Sequence, residues 1–283
     1  MIKILYISDF HLNELKFGGA EYNDNEIINS LQESGCEVTF VKSINITKNF
    51  LQQNYYDLKI ISNFLFMDEL SKKEIVRQGK YILYEHDHKY LASRNPAFHT
   101  NFLAPKTKII NRDLYFGANL VFCQSSFQET IIKKNLDINN TYNISGNIWS
   151  KKDLNKITEL SKNKKQDLYS ILECEMDSKN MQGAIDFCKQ KQYNYELIED
   201  ENYYRFLEKI SKNIGLVFIP RSPETLSRIC VEARMMGCKV ITNQLVGVKY
   251  EDWFKKNSEE IISEMSQVRE KVTSRILKLI NER

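Results

Sequence analysis

The residues best suited to chemistry lie between Leu216 and Asn243, reading L-V-F-I-P-R-S-P-E-T-L-S-R-I-C-V-E-A-R-M-M-G-C-K-V-I-T-N, with Glu224 and Glu232 separated by seven residues. Two carboxylates can accept hydrogen bonds from sugar hydroxyls, and the amides of a helix N-terminus between them suit a phosphate. Eight residues of helical rise span roughly 12 Å, comparable to the reach from a sugar to a ribose across a diphosphate. On spacing alone, two surface glutamates on an ordinary helix are the favoured reading. What distinguishes the pair is its frame.

Leu216 to Ile219 is an apolar run closed by Pro220 and Pro223, which predicts a buried strand ending in a turn. From Leu226, apolar residues recur at Ile229, Cys230, Ala233 and Met236, and Gly237 follows where a C-terminal cap belongs. Val240 and Ile241 begin a second strand. The unit predicted is strand, helix, strand, with Glu224 in the loop at the helix mouth, Glu232 inside the helix, and Thr225 or Ser227 as the cap.

In that frame the run P-E-T-L-S-R-I-C-V-E-A-R-M-M-G-C-K-V-I resembles the carboxylate signature of retaining GT-B glycosyltransferases, in particular glycosyltransferase family 4 (glycosyl transferases group 1). The resemblance implies that Glu224 contacts hydroxyls of the transferred sugar, that Glu232 holds the ribose, and that the amides of Thr225, Leu226 and Ser227 face the diphosphate. M-I-K-I-L-Y-I-S-D-F, then F-G-G-A-E, then E-S-G-C-E-V-T-F-V are similar to the N-terminal signature of the same family. By that likeness Gly18 and Gly19 let the backbone approach the diphosphate closely, although two adjacent glycines also make a flexible turn.

The run Y-E-H-D-H-K-Y-L-A-S-R-N-P, Tyr84 to Pro96, follows a predicted strand and falls at its carboxyl end, where open α/β sheets bind ligands. His86 resembles the family histidine near the transferred sugar and acceptor, with Arg94 and Asn95 on the acceptor side. A hydrogen-bonded structural histidine is the competing reading. Glu85, His86, Asp87 and His88 also suggest a metal cluster, but neighbours on a strand face opposite ways and only the two histidines would share a side. The chain contains no Asp-x-Asp, the usual metal-holding triplet of the other nucleotide-sugar fold, so chemistry without a metal or other cofactor is expected.

L-E-C-E-M-D-S-K-N-M-Q-G-A-I occupies the place of the family's Gly-Arg-Leu and downstream lysine. Lys179 matches the lysine that neutralises the leaving phosphate, while Cys174 stands where the arginine belongs. Arg221 or Arg228 is expected to supply the missing charge. The catalytic set implied is therefore His86, Lys179 and Glu224.

Around these motifs, strands are predicted at Lys3 to Ile7, Glu37 to Val41, Leu58 to Ser62, Tyr81 to Glu85, Leu120 to Cys123 and Thr141 to Ile144. A loop from Ser8 to Ala20 and helices near Glu21 to Ser34, Glu69 to Arg77 and Ser126 to Lys134 connect them. The charged stretch after Ser150 reads as a connection between domains. Beyond it the alternation resumes, with strands at Leu168 to Leu172, Tyr195 to Ile198, Leu216 to Ile219 and Lys239 to Thr242. The last segment, 259–281, has apolar residues at helical spacing.

The 283 residues suit two modest α/β domains, 1–150 and 151–283. The resemblance implies two Rossmann-like domains facing across a cleft, with the C-terminal helix packing back on the first. With 40 basic and 37 acidic residues, the charge is too balanced to argue for a nucleic-acid partner. Six cysteines without Cys-x-x-Cys spacing, and no signal-like or spanning apolar run, point to a cytoplasmic protein that can still touch a membrane surface. The expected activity is transfer of a hexose, with retention, from a nucleoside diphosphate sugar to a hydroxyl of a glycan, lipid or small molecule. A GT-B-shaped binding protein with weakened turnover and a nucleotide-sugar epimerase are the alternatives.

Overall fold

The computed structural model describes residues 1–11 and 18–282. Of the predicted Ser8 to Ala20 loop, positions 12–17 lie outside the described residues. The chain divides into two compact units, Met1–Ile148 with Gln267–Arg283, and Trp149–Ser266.

The first unit carries β1 (Lys3–Ser8), α1 (Gly19–Glu33), β2 (Glu37–Lys42), α2 (Lys48–Gln53), β3 (Leu58–Ile61), α3 (Glu69–Gln78), β4 (Tyr81–Tyr84), α4 (Arg112–Phe116), β5 (Leu120–Cys123), α5 (Ser126–Leu136) and β6 (Thr141–Asn143). Its sheet has the order β2-β1-β3-β4-β5-β6, every pairing parallel. Parallel strands need crossovers on the sheet faces, so central strands are covered on both sides and read as continuous apolar runs. β3, β4 and β5 are buried at every position. Leu5, Ile7, Ile61, Leu83 and Val121 line the core between strands and helices. α3 and α5 start where Asp68 and Ser125 accept amide hydrogen bonds from Ser71 and Gln128.

The second unit carries α6 (Lys151–Leu160), β7 (Gln166–Leu172), α7 (Met181–Lys191), β8 (Tyr195–Ile198), α8 (Tyr203–Ser211), β9 (Asn213–Phe218), α9 (Arg228–Met235) and β10 (Lys239–Thr242). Its sheet is also parallel, in the order β10-β9-β7-β8. The stretch expected as a charged connection is instead α6, capped by Ser150 and burying Leu154, Ile157 and Leu160. Its lysines had masked a three-residue apolar spacing that suffices for one buried stripe.

α10 (Ser258–Asn281) begins in the second unit, and its residues from Gln267 belong to the first. Val268, Val272 and Ile276 are buried, Arg269 forms a two-pronged pair with Glu33 at 2.9 Å, and the Thr273 and Ser30 hydroxyls are bonded. The end of the chain thus packs on α1, as expected.

Candidate functional site

In the second unit the candidate residues gather at the carboxyl ends of β7 and β9. β7 ends at Leu172, and the chain runs through Cys174 to a single helical turn, Asp177–Lys179. β9 ends at Phe218 and leads into 219–227. Lys179 Nζ meets Glu224 Oε1 at 2.7 Å, and both side chains are partly open to solvent, at 27% and 17%. Arg221 pairs with Asp177, and its amide donates to the Ser178 carbonyl at 2.9 Å, so the two loops are tied together.

A second strap fixes the Glu224 loop. Its amide donates to the Leu245 carbonyl, its carbonyl accepts from Gly247, and Val248 donates to the Leu226 carbonyl. Glu224 is therefore held in a bridge with Val246, ahead of the helix. The expected eight-residue helical spacing is not what separates the glutamates, because α9 starts only at Arg228. Thr225 and Leu226 belong to the loop, both buried. Ser227 occupies the cap position but caps nothing with its side chain, which donates to Cys230 Sγ at 3.3 Å. It holds a φ of 81°, a strained conformation for a residue with a Cβ.

Glu232 is 2% exposed. Its Oε1 accepts from Trp149 Nε1 at 3.0 Å, Tyr203 OH at 2.6 Å and Arg228 Nε at 2.8 Å. The Arg228 guanidinium also lies over the Trp149 ring, 4.4 Å from its centroid. Burial works to lower the Arg228 pKa, but the facing Tyr203 and Glu232 outweigh it and the value rises. Tyr203 is pushed well up, by burial first and then by Glu232. Of the two arginines expected to replace the missing one, Arg228 is committed to Glu232, whereas Arg221 is exposed beside the Lys179 turn.

In the first unit His86 follows β4, with its side chain only 5% exposed. Nε2 lies 2.8 Å from Asp24 Oδ1, and Nδ1 lies 2.7 Å from Gln124 Nε2. Asn147 donates to Gln124 Oε1 at 3.0 Å, which orients the Gln124 amide so that its nitrogen donates to His86. The bonding assigns the imidazole proton to Nε2, facing Asp24. Tyr6, Ser8 and Ser62 also donate to the Asp24 carboxylate. Burial pushes Asp24 up, but His86 and these hydroxyls prevail and its pKa is lowered.

The neighbouring acidic and imidazole groups do not converge. Glu85 is paired with the fully buried Lys89 and accepts from Tyr115. His88 Nδ1 lies 3.1 Å from the Tyr90 hydroxyl, and burial pushes the His88 pKa down to about 4. Arg94 pairs loosely with Asp87 at 3.4 Å, and the Asn95 side chain accepts the Ala97 amide at 3.0 Å. Gly18, in an extended conformation, precedes α1, and its amide donates to Glu21 at 2.8 Å; Gly19 is the first residue of the helix.

Sequence reasoning missed Asp24, Gln124, Trp149 and Tyr203, the partners that orient His86 and Glu232. Asp24 had one legible signal: it lies on the same face of α1 as the buried Ile27 and Leu31, where a carboxylate demands partners.

No family model matches the sequence, and no curated protein matches it. Solved structures do resemble it. Anabaena Alr3699/HepE in complex with UDP-glucose superposes with a TM-score of 0.58 at 13% identity, covering 100% of both chains. The catalytic domain of starch synthase IV from Arabidopsis thaliana, bound to ADP and acarbose, gives 0.56 at 9% identity over 99% of this chain and 98% of that one. An alpha-glucosyltransferase in complex with UDP and a 13-mer DNA containing a HMU base gives 0.53 at 13% identity over 99% and 90%. These are GT-B glycosyltransferases, and the chain has their fold.

Proposed function

We propose that the protein is a retaining glycosyltransferase that moves a hexose from a nucleoside diphosphate sugar to a hydroxyl acceptor without a metal. The observation that carries this reading is the half-open Lys179–Glu224 pair where two parallel strands end, on a GT-B fold. Glu224 would accept hydroxyls of the transferred sugar, and Lys179 would turn from Glu224 to the leaving diphosphate. Glu232, held by three donors, would offer the rest of its carboxylate to the ribose. Thr225 to Ser227, Arg221 and Arg228, with Gly18 and Gly19, complete the proposed donor set. His86, Arg94 and Asn95 are assigned to the acceptor side, with His86 acting as a fixed surface.

In the reaction the bond from the anomeric carbon to the diphosphate breaks. The acceptor oxygen bonds to the same face, and its proton passes to the departing phosphate. No protein nucleophile is required, and catalysis rests on positioning and charge stabilisation. Three structural neighbours are bound to UDP-glucose, ADP or UDP, which makes these donors the first to test. Because one neighbour holds DNA, a duplex belongs in the acceptor panel despite this chain's balanced charge. The six cysteines are free, which suits the cytoplasm.

The test is release of nucleoside diphosphate from UDP-, ADP- and GDP-sugars, with donor-induced thermal stabilisation measured in parallel. Loss of both in Glu224→Ala supports the assignment; unchanged release in that variant overturns it. Cys174 in place of the arginine, and the engagement of Arg228, favour a second reading as a donor-binding protein with weakened turnover. Stabilisation without product would select that reading, and conversion of the donor with no acceptor would select an epimerase.

A further inference from the structure

The connection from β4 to β5, residues 85–119, is far longer than most connections in compact domains, and such loops usually carry function. It folds as two single helical turns, a left-handed turn at Asn101 and Phe102, and the short α4. Between Ser93 and Phe116 it exposes Phe98, Leu103, Ile110 and Phe116, at 72%, 49%, 43% and 46%. Single exposed apolar side chains are ordinary, but four on one loop are not. Lys106, Lys108 and Arg112 are exposed on the same stretch, where Asp113 is the one acidic residue.

Internal contacts hold this surface in shape. Lys134 donates to the Asn101 carbonyl at 2.8 Å, and Asn135 bonds both the Phe102 carbonyl and the Ala104 amide, so a further cation from α5 joins the Phe98–Leu103 turn. Arg112 lies over the Phe116 ring, 4.3 Å from its centroid. Beside them a cavity of about 250 Å³ is bordered by Lys72, Lys73, Ile110 and Arg112 and also by Glu69 and Asp113, with Lys72 paired to Glu69 at 2.8 Å.

We propose that residues 98–116 dock the protein on an anionic lipid bilayer. Phe98, Leu103, Ile110 and Phe116 enter the headgroup boundary, and the surrounding lysines and arginines face the anionic headgroups. The proposed attachment is peripheral; no helix among the described residues is long and apolar enough to cross a membrane. A nucleic acid would use the cations and stack on aromatic rings, but it gives no role to Leu103 and Ile110. The proposal stands independently of the donor reading.

Flotation of the whole protein with vesicles of phosphatidylcholine, alone or mixed with phosphatidylglycerol, tests it. Binding is expected only to the anionic vesicles and is expected to weaken with added salt. Lys106→Ala with Lys108→Ala should weaken it about 25-fold, at about fivefold per cation near the surface. Phe98→Ser with Leu103→Ser should abolish it, while Lys151→Ala with Lys152→Ala, an exposed pair on α6, should leave it unchanged. Equal binding to neutral vesicles, or no binding by the wild type, overturns the proposal. So does indifference to the apolar pair, or tighter binding to a DNA duplex that the same substitutions weaken. Thermal unfolding of each variant checks that it folds, and the wild-type salt dependence stands without any variant.

Discussion

Each unit sets a carboxylate against a base at the carboxyl edge of a parallel sheet, but the two arrangements differ in what they leave free. In the first unit Asp24 and His86 are 4% and 5% exposed and saturated by their own chain. In the second, Lys179 and Glu224 meet at a comparable distance with 27% and 17% of their side chains in solvent. A ligand entering the first must break hydrogen bonds that have no water to replace them. A ligand entering the second exchanges partners with an ion pair that already touches water. The contrast separates residues that shape a surface from residues that can act on what arrives there.

Glu232 lies within the second unit yet behaves like the first unit's cluster, and it gives the largest predicted effect. Glu232→Ala leaves the Arg228 guanidinium buried without its carboxylate, and should cost about 3–5 kcal/mol of stability in chemical denaturation. Glu232→Gln keeps an acceptor for Trp149 and Tyr203 and should cost less. Equal tolerance of alanine at 232 and at 224 would erase the distinction drawn between closed and open carboxylates.

Lys179→Ala tests the open pair. Removing a cation aimed at a departing diphosphate should lower turnover about 10²–10³-fold. Because the pair is partly solvated, its loss should change stability by less than about 1 kcal/mol. His86→Ala should show the reverse balance, with stability falling more than turnover, since two ring hydrogen bonds are lost from a closed site. Steady-state kinetics beside denaturation curves reads both quantities; a larger kinetic loss at 86 than at 179 would reverse the roles.

The closed character of the first unit also predicts its response to acid. His88 is pushed by burial to about 4, below its unfolded value of 6.5. The unfolded chain therefore binds more protons between those values, and stability should fall by about 3 kcal/mol as pH drops through that window. Asp24, whose folded pKa is depressed, contributes stability above its ordinary value of 3.8 that is lost at lower pH still. Denaturation midpoints from pH 7 to 4 should slope downward in the wild type and flatten in His88→Gln. Identical slopes would place the acid sensitivity elsewhere.

What was legible beforehand follows the same division. The central strands show as short apolar runs because parallel strands inside a sheet are covered on both faces, and Glu224 and Glu232 stand out through their strand-helix-strand frame. The saturating partners do not show. Asp24 and His86 are 62 residues apart, and Trp149 and Glu232 are 83 apart. No local spacing encodes such pairs; only the folded sheet brings them together. α6 was missed for a different reason, since its seven polar residues, three of them lysines, outnumber the three apolar residues that decide its burial. Ser227 was legible as a cap by residue type but not by conformation, which depends on the strap from residues 245–248.

That conformation supplies the smallest predicted effect. A residue with a Cβ at a φ of 81° carries strain of about 1–3 kcal/mol, and glycine adopts such angles freely. Ser227→Gly relieves the strain, but adds about 0.5–1 kcal/mol of unfolded-state entropy cost and loses the hydroxyl's contact with Cys230. The net gain should be about 1 kcal/mol, seen as a higher denaturation midpoint. If the strain holds the amides ahead of α9 in position for a diphosphate, the more stable variant should bind donor more weakly, because a glycine loop must be ordered on binding. A variant that is less stable would show that the backbone at 227 is at rest, and that the open half of the second unit is open by solvent access alone.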